Sequence, residues 1–82
     1  MTRKSERYAQ AVAAELRAER AAQEVTLREL EARTGHSYSA LHKYLSGTRI
    51  LPLHTFMDVC DALGVDAIEI NRRADERMKG DK

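Results

Sequence analysis

The sequence predicts an all-α fold, a compact orthogonal bundle of five helices in one domain, and three observations predict it. Eighty-two residues are enough for one hydrophobic core and too few for two. Charged residues make up 33% of the chain and hydrophobic ones 43%, with Ala, Leu, Glu and Arg abundant, and these are strong helix formers. One proline, four glycines, three tyrosines and one phenylalanine supply too little for a small β domain. The third observation is order along the chain, because apolar residues recur at helical spacing between capping residues and glycine stops. The expected layout is a flexible basic arm over residues 1–4, a helical domain over 5–78 and a frayed tail over 79–82.

Ser5 is a good N-cap, and it predicts that the first helix begins after it. Tyr8, Val12 and Leu16 recur every four residues, which defines an inner stripe running toward Ala22. Thr26-Leu27-Arg28-Glu29 has the form of a capping box and opens a short second helix, with Leu27 and Leu30 inward. Gly35 suits the positive φ that reverses the chain after Thr34. Ser37 then caps a third helix over about Tyr38 to Ser46, and Leu41, Tyr44 and Leu45 define its buried side. Gly47 stops it. Leu51-Pro52-Leu53 starts a fourth helix that places Phe56, Val59, Cys60 and Leu63 inside and ends at Gly64. Asp66 and Glu69 resemble a second box and open a fifth helix, with Ile68, Ile70 and Met78 as its inner residues.

Several functional classes are disfavoured by composition. Cys60 has no partner for an internal disulfide, which suits a reducing compartment. No apolar run approaches the ~18–20 residues needed to cross a bilayer, and no apolar signal segment follows the basic N-terminus. A soluble cytoplasmic protein without membrane attachment is expected. His36 and His42 are six residues apart, as are His54 and Cys60, so neither pair shares a helical face as zinc ligands would. No phosphate loop, paired-carboxylate signature or base-supported nucleophile is present. The expectation is a non-enzyme that needs no metal, cofactor or small-molecule substrate.

Net charge is only +1, but its distribution is uneven. Residues 32–57 carry Arg33, Lys43, Arg49 and all three histidines without a single acid, so a polyanion meets least repulsion there. The same region holds two short helices joined at Thr34-Gly35-His36-Ser37, the layout of a helix-turn-helix. With Leu41, Tyr44 and Leu45 inward, a rotation of about 100° per residue turns Ser39, Lys43 and Ser46 outward, with His42 at the edge and Tyr38 at the N-terminal end. That face is small, polar and positive, and it suits a major groove about 12 Å wide.

Residues from about Leu16 to Ile70 resemble the lambda-repressor-like, Xre-type helix-turn-helix family, which includes phage repressor and Cro proteins. The resemblance is carried by Val25-Thr26-Leu27-Arg28-Glu29-Leu30, by Thr34-Gly35-His36-Ser37-Tyr38-Ser39-Ala40-Leu41, and by Leu45-Ser46-Gly47-Thr48-Arg49. Downstream, Phe56-Met57-Asp58-Val59-Cys60-Asp61-Ala62-Leu63-Gly64-Val65 matches the family's fourth helix and its exit. The resemblance implies a bacterial or phage-encoded transcriptional regulator that binds double-stranded DNA through its third helix. It implies base contacts from Tyr38, Ser39, His42 and Lys43, and phosphate contacts from Thr26, Leu27 and Arg28 at the second helix and from Thr48 and Arg49 beyond the third. Arg3 and Lys4, with Arg7, would form an arm along the DNA. Arg28 has a rival role as an intrahelical ion-pair partner, and Arg49 as a cation near the third helix's last carbonyls.

Three positions depart from the family pattern. Glu31 stands where the family is usually small, and His36 where it is usually aliphatic. Leu45 replaces a glutamate that often pairs with the arginine matching Arg20, so Arg20 must find another partner. A single unit this small touches few base pairs, so a homodimer on a palindrome is expected, with Ile68, Ile70 and Leu51 as surface candidates. The alternative reading, favoured by near-neutral charge, is a protein-docking module such as an antitoxin or accessory factor.

Overall fold

A computed structural model describes residues 3–80. Five helices and no strand occur among them: α1 (Lys4–Ala22), α2 (Leu27–Thr34), α3 (Tyr38–Leu45), α4 (Leu53–Leu63) and α5 (Ala67–Gly80). The all-α expectation holds, and most of its boundaries hold with it.

The start of α1 is a correction. Arg3 occupies the N-cap in extended geometry without a side-chain cap, and Arg7 N–H donates to its carbonyl at 3.0 Å. Ser5 therefore lies inside the first turn beside Glu6, where small polar and acidic residues suit the positive helix end. Lys4, expected in an arm, is helical; the arm's residues 1–2 lie outside the described residues. At the other end α5 runs through Lys79 to Gly80, so the described part of the expected frayed tail is helix, while 81–82 lie outside the described residues. The exit of α1 uses a turn that the sequence did not signal. Glu24 takes φ 56, and the N–H groups of Glu24 and Val25 return to the carbonyls of Ala21 and Arg20.

Local signals explain the centre. Both halves of the Thr26–Glu29 capping box are present. Gly35 takes φ 80 and its N–H donates to the Glu31 carbonyl, so the chain turns without a Cβ clash. Ser37 caps α3 by accepting from Ala40 N–H at 3.1 Å, and Ser46 is the C-cap one residue beyond the last helical residue. Pro52 caps α4 with no side-chain bond, its fixed φ near −66° leading into the helix at Leu53.

The second box at α5 forms only by half. Asp66 Oδ1 accepts from Ile68 N–H at 2.9 Å, but Glu69 turns to Arg72 and Arg73 instead of the cap. This cap sets the phase of α5, burying Ile70 and Ala74 fully and leaving Ile68 79% exposed. Ile68, expected inside, is two residues from Ile70 and so about 200° around the helix from it. Ile70, considered for a dimer surface, is core instead. Leu51 is half-buried against the core, as is Met78.

The core joins Val12 and Leu16 of α1, Leu30 of α2, Leu41 and Leu45 of α3, Phe56, Val59, Cys60 and Leu63 of α4, and Ile70 and Ala74 of α5. Helix α1 packs against α3, α4 and most extensively α5, while α2 packs against α3 and α4. The α1–α5 seam carries polar ties between distant segments. Tyr8 donates its hydroxyl to Asn71 Oδ1 at 2.9 Å, and Arg73 and Arg77 pair with Glu19 and Glu15 at 2.9 and 2.7 Å. No described helix is long and apolar enough to cross a membrane.

Candidate nucleic-acid interface

Helix α3 is held by its apolar side. Leu41 and Leu45 are buried and Tyr44 is half-buried, so the opposite side must face out. Ser39, His42, Lys43 and Ser46 are exposed, as is Tyr38 at 37%, and Tyr38, Ser39, His42 and Lys43 together line one shallow depression. The rings of Tyr38 and His42 lie near-parallel, 17° apart with centroids 6.4 Å apart. All four expected base-reading side chains therefore share one surface.

Both ends of α3 are tied down. At its C-terminal end Ser46 Oγ bonds the Lys43 carbonyl and Thr48 Oγ1, and Arg49 N–H donates to the Lys43 carbonyl at 3.2 Å. This folds Thr48 and Arg49, both exposed, back against the end of the helix. Two α1 side chains complete the support, and the sequence reading missed both. Gln10 Nε2 donates to the Gly47 carbonyl at 2.8 Å, and Arg17 Nη1 donates to the Leu45 carbonyl. Nothing local in the sequence signals either contact, because each reaches across 28 or more positions.

At the N-terminal end Glu31 crosses from α2. Its Oε2 accepts from Tyr38 N–H at 3.0 Å and its Oε1 from Arg28 Nη1 at 3.2 Å. These bonds, the Tyr38 amide first, hold the Glu31 carboxyl below its ordinary range. The Arg28 guanidinium also lies over the Tyr38 ring, 4.3 Å from its centroid. The departure at Glu31 thus has a defined place, an outward-turned carboxylate bridging the two helices.

The start of α2 is partly committed to its own cap. Thr26 Oγ1 accepts from Glu29 N–H, and the Glu29 carboxylate accepts from Thr26 N–H at 3.0 Å. The Glu29 carboxyl is lowered by that backbone bond first. Leu27 is half-buried, its side chain packed against the core. Arg3 and Lys4, the N-cap and first residue of α1, are both exposed. Ser5 beside them borders a separate cavity with Tyr8, Leu51 and Leu53.

The remaining departures are accounted for. His36 Nε2 pairs with Asp58 Oδ2 at 2.8 Å, linking the turn to α4. Arg20 Nη1 donates to the Val25 carbonyl at 2.9 Å, while its Nε is buried without a partner. The Cys60 thiol is pushed up to about 11, by burial first and then by Asp61 and Asp66, which fits a core side chain. Among the described residues no group of three or more His, Cys, Asp or Glu is placed to hold a metal ion.

The family description of a helix-turn-helix domain matches residues 11–72, which covers α2, α3 and α4 whole and part of α1 and of α5. The chain belongs to the helix-turn-helix domain family. That membership agrees with the lambda-repressor-like, Xre-type resemblance and points to a DNA-binding regulator in general terms. Neither the curated proteins nor the solved structures contain a match to this helix-turn-helix chain.

Proposed function

We propose that this helix-turn-helix protein is a sequence-specific double-stranded DNA-binding regulator of the repressor and Cro kind, acting without catalysis. The observation that carries the reading is the α3 face, where Tyr38, Ser39, His42 and Lys43 stand outward together while Leu41 and Leu45 are sealed in the core. Helix α3 enters the major groove, where Ser39 allows close approach and Lys43 meets a guanine edge or a phosphate. Tyr38 and His42 flank them. Thr48 and Arg49, held at the end of α3, meet the backbone on one side. On the other side it is met by the start of α2, where the cap between Thr26 and Glu29 leaves the N–H groups of Leu27 and Arg28 free, with Arg3 and Lys4 extending the cationic surface.

A second copy bound across a two-fold axis supplies the specificity that one short helix lacks. The exposed apolar side chains Ile50, Leu53 and Ile68 are the candidates for the contact between copies.

Selection of bound sequences from a random duplex pool tests this reading. The expected product is an inverted repeat with half-sites about 10 base pairs apart, centre to centre. Absence of enrichment, together with no retention on heparin, would overturn it and favour the protein-docking alternative.

A further inference from the structure

Glu31 stands where the resembled family is usually small, and DNA binding by α3 alone gives no reason for a carboxylate there. One carboxylate joins three groups: the N-terminus of α3 through Tyr38 N–H, the Arg28 guanidinium, and through that guanidinium the Tyr38 ring beneath it. The Tyr38 amide is one of the donors that a helix start leaves without an internal partner, and Ser37 satisfies a different one, that of Ala40. A carboxylate also suits the positive end of the helix. The contact is therefore favourable in its own right, and it draws Arg28 toward the groove-facing end of α3.

The arrangement changes what Arg28 can do. Pairing with Glu31 cancels much of its charge, which weakens its pull on a phosphate. The Glu31 bond and the Tyr38 ring beneath it together hold the guanidinium in place, and a held guanidinium is what recognition of a base edge requires. Nη1 is committed to Glu31, but a guanidinium carries five donors and the Arg28 side chain is 74% exposed. Resting on the reading of α3 as the groove-entering helix, we propose that Glu31 is a positioning residue that makes Arg28 a base-reading side chain contributed by α2. The expectation that Arg28 grips a phosphate is replaced by this role.

The test is selection from a random duplex pool, with salt titration of the selected site, for wild type, Arg28→Ala, Glu31→Ala and Glu31→Gln. Amide hydrogen exchange of the free proteins runs beside it. Arg28→Ala and Glu31→Ala are expected to lose discrimination by about tenfold at the same base position, with the rest of the site retained. The salt slope should change by well under one unit in Arg28→Ala, whereas a lost phosphate contact would change it by about one. Exchange at Tyr38 should quicken about tenfold in Glu31→Ala while Leu41 and Ile70 stay protected. Glu31→Gln, whose amide oxygen still accepts from Tyr38, should restore that protection but only part of the base preference. If Glu31→Ala loosens Leu41 and Ile70 as well, Glu31→Gln decides alone, and an unchanged base preference in it overturns the proposal. Uniform weakening on all sequences by Arg28→Ala, with a full unit of slope, overturns it too. If wild type itself enriches no sequence, the DNA reading fails and takes this inference with it.

Discussion

Gln10 of α1 donates to the carbonyl of Gly47 at 2.8 Å, so the turn that ends α3 is held by a helix 37 positions earlier in the chain. Gly47 takes φ 83 there, and a Cβ on it would fall 2.3 Å from Gln10 Oε1. The long side chain can swing aside, but only by giving up its bond to the turn.

Gly47→Ala should therefore destabilise the domain by about 1–3 kcal/mol, combining left-handed strain with the lost bond. Gln10→Ala alone should cost at most about 1 kcal/mol. In urea unfolding the double variant should be less destabilised than the two single losses added together. Additive losses would show that the turn and Gln10 are independent.

Lys43 and Arg49 flank the end of α3, and each should contribute one counterion-releasing contact. Lys43→Ala and Arg49→Ala are expected to lower the salt slope of duplex binding by about one unit each. Titration of binding constants against salt measures this directly, and unchanged slopes in both variants would exclude the proposed docking.

Arg20 Nε is buried without a partner, and Arg20 and Leu45 border the same small cavity. Leu45→Ala should cost about 2–5 kcal/mol as a core truncation. Leu45→Glu, which restores the pairing partner of the resembled family, should cost less than Leu45→Ala. That advantage should shrink in an Arg20→Ala background, where Arg17, already bonded to the Leu45 carbonyl, is the guanidinium left beside the cavity. Thermal unfolding of the four variants reads the coupling.

Acid should loosen the helices through their carboxylates. Bonds from Arg72 and then Arg73 lower the Glu69 carboxyl from 4.5 to about 2, and Glu19 is lowered by Gln23 and then Arg73. A carboxyl lowered in the folded state adds stability that is complete above about pH 4.5 and lost as pH falls toward about 2. Tm should decline across that window, and Glu69→Gln should flatten the decline. An equally steep profile in the variant would place the acid sensitivity elsewhere.

The sequence made legible whatever is encoded by neighbours. Thr26 with Glu29, Gly35, and Ser37 before Tyr38 each act within a few residues, and each stands as expected. The buried side of α3 followed from Leu41 and Leu45 in the same way. Contacts between helices were not legible. Glu31 shows as a departure from a pattern, but its partner Tyr38 N–H is seen only once the turn has closed. Ile68 departs from its expected burial because hydrophobicity alone does not fix phase, which is set by the Asp66 cap and the burial of Ile70. Ser5 suits a cap by residue type, yet the helix continues back through it, since a serine tolerates either place.

The seam between α1 and α5 has a consequence for synthesis. Glu19 meets Arg73 across 54 positions and Glu15 meets Arg77 across 62. At about 5–20 residues per second, the groups of α1 that face α5 emerge from the ribosome roughly three to twelve seconds before their partners. Until then Tyr8, Glu15 and Glu19 lack the side chains that cover them, whereas α2 and α3 meet almost as soon as they are made. The helix-turn-helix pair is thus synthesised early in translation, and the enclosure of its supporting helix comes last.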